Sequence, residues 1–196
     1  MFPMRFFNKL GATEVNPDNI CNMAGHVALN YIYGASLNAF DPRMVDKAQC
    51  IIVWGGNPSV SGPHVNQHWL CKAKAKVIVI DPIRTEAAEA ADIHLQLYPG
   101  SDAALAYTTL NIIYKAGLIA NDFVKANTVG WEEIEPVLKI VRSIGGEAVT
   151  GVPAALIEEA ALIYAKGPSL LWMGQALQRQ PHGGNIMRAC AYRQFS

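Results

Sequence analysis

The sequence predicts an α/β fold, an open doubly wound sheet whose strands are mostly parallel. Two runs, CIIVW (50–54) and VIVI (77–80), are continuously apolar instead of alternating, as strands covered on both faces are. Helical stretches separate the apolar runs, the order expected of β-α-β units. Each run also ends abruptly, at Gly-Gly-Asn-Pro or at Asp-Pro, residues that turn a chain out of a strand.

The elements follow in order. Residues 1–18 read as irregular and close in the turn formers Asn16, Pro17 and Asp18. Asn19 caps a helix over Cys21–Tyr33, which Gly34 stops. A mixed loop with Asp41 and Pro42 leads into the strand Cys50–Trp54. A helix over His64–Ala75 precedes the second strand, Lys76–Ile80, and a short helix over Thr85–Ala91 precedes a third, His94–Leu97. Asp102 caps a helix over Ala103–Ala116 that closes at Gly117. Helices follow near Asn121–Asn127, Trp131–Ser143 and Pro153–Ala165, with Gly145-Gly146 as a loop between the last two. Pro168–Met173 is a late strand, Gly174–Gly184 a loop, and the last helix runs on toward Ser196.

Composition narrows the function classes. The 196 residues suffice for one large domain or one and a half, and 51% hydrophobic against 16% charged residues excludes disorder. Sixteen basic and sixteen acidic residues cancel, so no field favours nucleic acid or an anionic membrane. The apolar runs are too short to span a bilayer, so no transmembrane segment is expected. MFPMRFFNKL has neither the apolar core nor the cleavage site of a signal peptide. These readings describe a soluble chain and favour the cytoplasm without fixing the compartment. The cysteines, Cys21, Cys50, Cys71 and Cys190, never form a CxxC pair, which argues against a structural zinc site, a cluster loop or disulfides within the chain.

In doubly wound sheets ligands bind at the carboxyl ends of the strands, and four loops mark those ends here. In IVWGGNP (52–58), Gly55 and Gly56 allow a tight turn and close approach to a phosphate. In VIVIDP (77–82), Asp81 at a strand tip can accept both hydroxyls of a ribose. In YPGSD (98–102), Asp102 caps a helix or accepts N–H donors from a purine edge. MGQALQRQPHGG (173–184) opens on a glycine turn and closes on a glycine pair. Taken singly, each loop is equally an ordinary strand break, turn, cap or helix lead-in, and no GxGxxG fingerprint is present. Together, on one sheet edge, they point to a nucleotide-like ligand.

These strings, in this order, resemble the molybdopterin oxidoreductase (dimethyl sulfoxide reductase) superfamily. The family's G-x-N-P loop is similar to Gly55-Gly56-Asn57-Pro58. Its V-I-D-P-x-x-T segment resembles Val79-Ile80-Asp81-Pro82-Ile83-Arg84-Thr85, and the following A-D resembles Ala91-Asp92. P-G-T-D-x-A-L resembles Pro99 to Leu105 with Ser101 for Thr, and G-x-G-L-Q-R resembles Gly174 to Arg179 with Ala176 for the second glycine. The agreement runs from about Asn19 to Arg188.

The resemblance implies the Rossmann-like fold of that family's central domains. It divides the chain into an N-terminal segment, 1–40, with a metal-ligand helix, and a molybdopterin guanine dinucleotide-binding domain, 41–196. It implies a molybdenum or tungsten ion held by two pterin dithiolenes, each with a guanosine nucleotide. The cofactor residues so implied are Gly55, Gly56, Asn57, Pro58, Asp81, Pro82, Thr85, Gly100, Asp102, Gly174 and Gln178, with Asp81 on ribose and Asp102 on guanine. Cys21 stands where relatives carry the metal-ligating catalytic residue. A thiolate at a helix start is a suitable soft ligand; the other reading of Cys21 is a buried helix cysteine. His26 and His64 are expected to be structural.

Relatives are several times longer, with an iron–sulfur segment ahead of the Cys21 position and a barrel-like domain beyond this region. The resemblance therefore implies the central part of such an enzyme, which is expected to be inactive alone. A small-molecule redox substrate and an iron–sulfur electron-transfer subunit are the partners implied, and any iron–sulfur cluster is expected outside this part of the enzyme. Two other readings stay open: a Rossmann-like module for another nucleotide, and a subunit without redox activity of its own.

Overall fold

The computed structural model describes residues 2–13, 21–36, 41–140 and 143–192. Four parallel strands form one sheet: β1 (Cys50–Trp54), β2 (Lys76–Ile80), β3 (Ile93–Leu95) and β4 (Ser169–Met173). Their order is β3-β2-β1-β4. The chain winds outward from β1 to β3, then crosses back through a run of helices to lay β4 on the other side of β1. Winding direction thus reverses between β1 and β4, where open α/β sheets form their crevice. The doubly wound parallel sheet is the fold expected from the sequence.

Every residue of β1 is buried, because both its faces are covered. Ile52 and Trp54 join Ile78 and Ile80 in the larger core, with Leu105 and Leu110 of α6 (Asp102–Lys115) and Ile157 of α10 (Ala154–Ala165). Ile51, Val53 and Val79 face the opposite way, into a smaller core with Leu70 and with Ala87 of α5 (Glu86–Ala90). The pleat's alternation accounts for the split. β4 is half-buried throughout, as befits an edge strand.

Several expectations need correction. Residues 2–9 form a helix, α1 (Phe2–Lys9), with Pro3 in its first turn, a position that tolerates proline. Asn19, the expected cap, lies outside the described residues. The next helix, α2 (Met23–Tyr33), starts after Cys21 and ends at Gly34, whose φ of 72° is left-handed. The single helix over His64–Ala75 is instead α3 (Pro58–Ser61), α4 (Pro63–His68) and a 3-10 turn, Leu70–Lys72. Pro58 and Pro63 each sit at a helix start, so the second proline opens a new helix. β3 begins at Ile93 and ends at Leu95, short of Leu97.

Ser101, not Asp102, is the N-cap of α6, and Asp102 lies inside the helix. After α7 (Asn121–Asn127), α8 is described over Trp131–Ile140, and residues 141–142 of the expected helix to Ser143 lie outside the described residues. Gly145 and Gly146 are helical, within α9 (Ser143–Thr150). The Thr108 side chain occupies the space a Cβ on Gly146 would need, so the bare glycine face lets α9 approach α6. The final helix, α11 (Gly183–Ala191), packs against α2.

Candidate functional site

Register makes the strand ends level. Trp54 pairs with Ile80 and with Met173, and Ile80 pairs with Leu95. The residues just beyond, Gly55, Asp81, Gln96 and Gly174, therefore emerge along one edge of the sheet. Two hydrogen bonds carry the ladder one step further: Gly55 N–H donates to Ile80 O (2.9 Å) and Gly174 N–H to Trp54 O (2.7 Å).

The glycines at this edge are explained first by backbone proximity. A Cβ on Gly174 would fall on the Gly55 carbonyl, and one on Gly56 would lie 3.3 Å from the Gly174 Cα. Gly55 has a φ of 61°, which only glycine adopts without strain. The loops after β1 and β4 thus touch main chain to main chain, at the switch point.

Asp81 is 8% exposed. Its Oδ1 accepts from Ile83 N–H (3.0 Å) and its carbonyl accepts from His94 Nε2 (2.9 Å). Its Oδ2 has no protein partner among the described residues, yet is not sealed from solvent. Burial is the largest influence and pushes the Asp81 carboxyl above its ordinary value; the Ile83 N–H and His94 oppose it, and the charge of Asp102 adds to it. A carboxylate short of donors at a strand tip is suited to a ligand that brings hydroxyl or N–H groups.

Asp102 is also buried, but the protein already engages it. Trp54 Nε1 donates to its Oδ1 (2.8 Å) and Gln180 Nε2 to its Oδ2 (3.1 Å). Gly100, with a φ of 87°, shapes the turn ahead of it. The remaining cofactor candidates around β1 and β2 have local partners. Asn57 Oδ1 accepts from Ser59 (2.6 Å), and Pro58 is buried at the start of α3. The Pro82 carbonyl accepts from Gln96 (3.0 Å), and Thr85 caps α5 through Ala88 N–H (3.2 Å).

The loop after β4 gathers the rest. Gln178, buried in a 3-10 turn (Gln175–Gln178), accepts from Gly25 N–H at 2.6 Å and donates to Asn22 at 3.0 Å and to Gln175. A Cβ on Gly25 would lie 2.7 Å from the Gln178 amide oxygen, so the glycine of α2 makes room for this strap. Arg179 donates from Nε to the Cys21 carbonyl (3.1 Å) and from Nη2 to the Cys21 sulfur (2.7 Å). Cys21 is exposed, which removes the buried-cysteine reading. Among the described residues no group of three His, Cys, Asp or Glu converges as a metal cage, so Cys21 stands as a single soft donor. His182 holds a left-handed φ of 61° at the N-cap of α11.

The structure thus joins Gly55, Gly56 and Gly174 directly, and ties Cys21, Gln178 and Asp102 to the loop after β4. It keeps Asn57 and Thr85 in local turns. Sequence reasoning missed Trp54, Gln180, Gly25 and the contact of Arg179 with Cys21. The only signal was the Gln/Arg-rich string after Gly174, because each of these partners is far away in the chain.

The family model described as molybdopterin oxidoreductase matches residues 2–192. "Probable oxidoreductase YyaE" of Bacillus subtilis is 30% identical over 186 residues, covering 94% of this chain and 28% of that protein. "F420-dependent formate dehydrogenase subunit alpha" of Methanocaldococcus jannaschii is 33% identical over 161 residues, covering 80% and 23%. Among solved structures, acetylene hydratase from Pelobacter acetylenicus superposes with a TM-score of 0.80 at 26% identity, over 99% of this chain and 27% of that one. The chain therefore spans under a third of the length of these relatives.

Proposed function

The chain belongs to the molybdopterin oxidoreductase family, and on that premise we propose that it holds the guanine nucleotide arm of a molybdopterin guanine dinucleotide within a molybdenum or tungsten oxidoreductase. The observation that carries this reading is Asp81, whose buried carboxylate keeps one oxygen unpartnered at the strand-end edge. Ribose hydroxyls are the donors it lacks. Gly55, Gly56 and Gly174 let the loops after β1 and β4 close on each other beside the crevice, with Asn57, Pro58, Pro82, Thr85 and Gly100 shaping the loops around it. Asp102 meets the guanine edge by giving up or sharing the donor of Gln180, while Trp54 keeps it oriented.

The residues fit the metal end of such a group as well. Cys21 is an exposed thiol two residues ahead of α2, a soft donor of the kind molybdenum or tungsten accepts. Arg179 holds its sulfur and carbonyl together, and Gln178 fixes the same segment through Asn22 and Gly25. When bound, the metal–pterin group supplies the electron-transfer chemistry; this chain's residues bind and orient it. Residues 1–40 bring the metal-side helix and residues 41–196 the nucleotide sheet. A small redox substrate, an iron–sulfur cluster and an electron-transfer subunit belong to the assembly in which this part works.

Equilibrium titration of the chain with GDP and with NAD tests the reading. GDP is expected to bind in preference to NAD, and Asp81→Ala to weaken it by about tenfold or more through loss of charged hydrogen bonds. Preference for NAD would overturn it in favour of a different nucleotide module.

A further inference from the structure

We propose that His64 and His68, neither assigned to the nucleotide, form an exchangeable site for a late first-row divalent cation such as Zn2+ or Ni2+, independent of the nucleotide reading. The two histidines are four apart on α4, so they rise from one face of the helix. Their rings are near-parallel, with 7° between planes and centroids 6.2 Å apart. Both are exposed, and among the described residues neither ring is engaged by another protein group. His64, expected to be structural, is exposed, with its ring stacked on that of His68.

The backbone that carries the pair is fixed. Pro63 opens α4 with its φ already set for a helix. Asn66 N–H donates to Gly62 O (2.9 Å) and Trp69 N–H to Val65 O (3.1 Å), which close the turns that hold the histidines in line. Two imidazole nitrogens on one ion, each about 2.0–2.1 Å away, place ring centroids about 5 Å apart. The gap to close is about 1 Å, within reach of small side-chain rotations because the second histidine torsion is broad.

Ligand type decides the class of ion. Neutral imidazole suits zinc, nickel, copper and cobalt, whereas magnesium and calcium require oxygen donors. No third His, Cys, Asp or Glu converges on the pair among the described residues, so water fills the other positions. The ion is accordingly exchangeable, unlike a closed structural zinc. It would clamp α4, which follows α3 and the Gly55–Pro58 loop.

The test is titration of the full chain with Zn2+ after chelator treatment, followed by calorimetry and by NMR of its histidine rings. The signals of His64 and His68 are expected to shift together, and Mg2+ to leave both in place. His64→Ala and His68→Ala should each weaken this event by about tenfold or more, because a chelate becomes a single ligand. Both positions are exposed, so neither variant threatens folding. Zn2+ binding of unchanged strength in either variant, or shifts confined to other histidines, would overturn the proposal.

Discussion

At the residue scale, Asp81 couples the site to folding. Its carboxyl lies above the ordinary value of 3.8 because burial disfavours the charge. The folded chain therefore holds this proton more tightly than the unfolded chain does. The contribution of Asp81 to stability is full below the ordinary value and is lost as pH rises through the window up to the raised one. Asp81→Asn keeps an acceptor for the Ile83 N–H and removes the charge. Urea unfolding should find it more stable than the parent at neutral pH, with the two converging near about pH 3. A difference independent of pH would refute this account. Asp102 marks how far a residue type can be read: Asp at a helix start says cap, but its carboxylate accepts from the indole of Trp54, 48 residues earlier, and Ser101 in the N-cap position donates its hydroxyl to Tyr98 O instead of capping the helix.

At the element scale, α1 shows local sequence deciding structure without tertiary help. Pro3 fits the first turn, Lys9 the last, and Phe2 stacks on Phe6 one turn away at 6.3 Å. No α1 residue is buried, and Phe6 is 50% exposed. Phe6→Ser should thus change unfolding free energy by less than about 0.5 kcal/mol. Leu105→Ala, at a fully buried position of α6, should cost about 2–5 kcal/mol. Equal costs in denaturant titrations would contradict the burial pattern. Gly145-Gly146 is the opposite case. By propensity the pair breaks a helix, yet both residues are helical, and at Gly146 the missing side chain becomes a close contact with Thr108.

At the scale of the whole molecule, everything depends on where β4 comes to rest. The Gly174 main chain meets Gly55 and Gly56 because β4 lies beside β1. Gly174→Ala should therefore cost more than about 3 kcal/mol or abolish folding, since the added carbon meets backbone that cannot move aside. Gly117→Ala, with φ 70° and open space around it, should cost only the left-handed strain of about 1–2 kcal/mol. Circular dichroism and urea titration compare them, and equal stability would refute the contact.

β1 and β2 could be read from the chain alone, because unbroken apolar runs mark strands buried on both faces. The sequence by itself also determined the strand-end loops, because glycine, proline and aspartate act locally. Strand order, the pairing of Trp54 with Asp102 and of Arg179 with Cys21, and the grouping of level residues into one edge were decided only in the tertiary structure. Those contacts join positions up to 158 residues apart, and no local preference encodes a distance that only the winding of the chain creates.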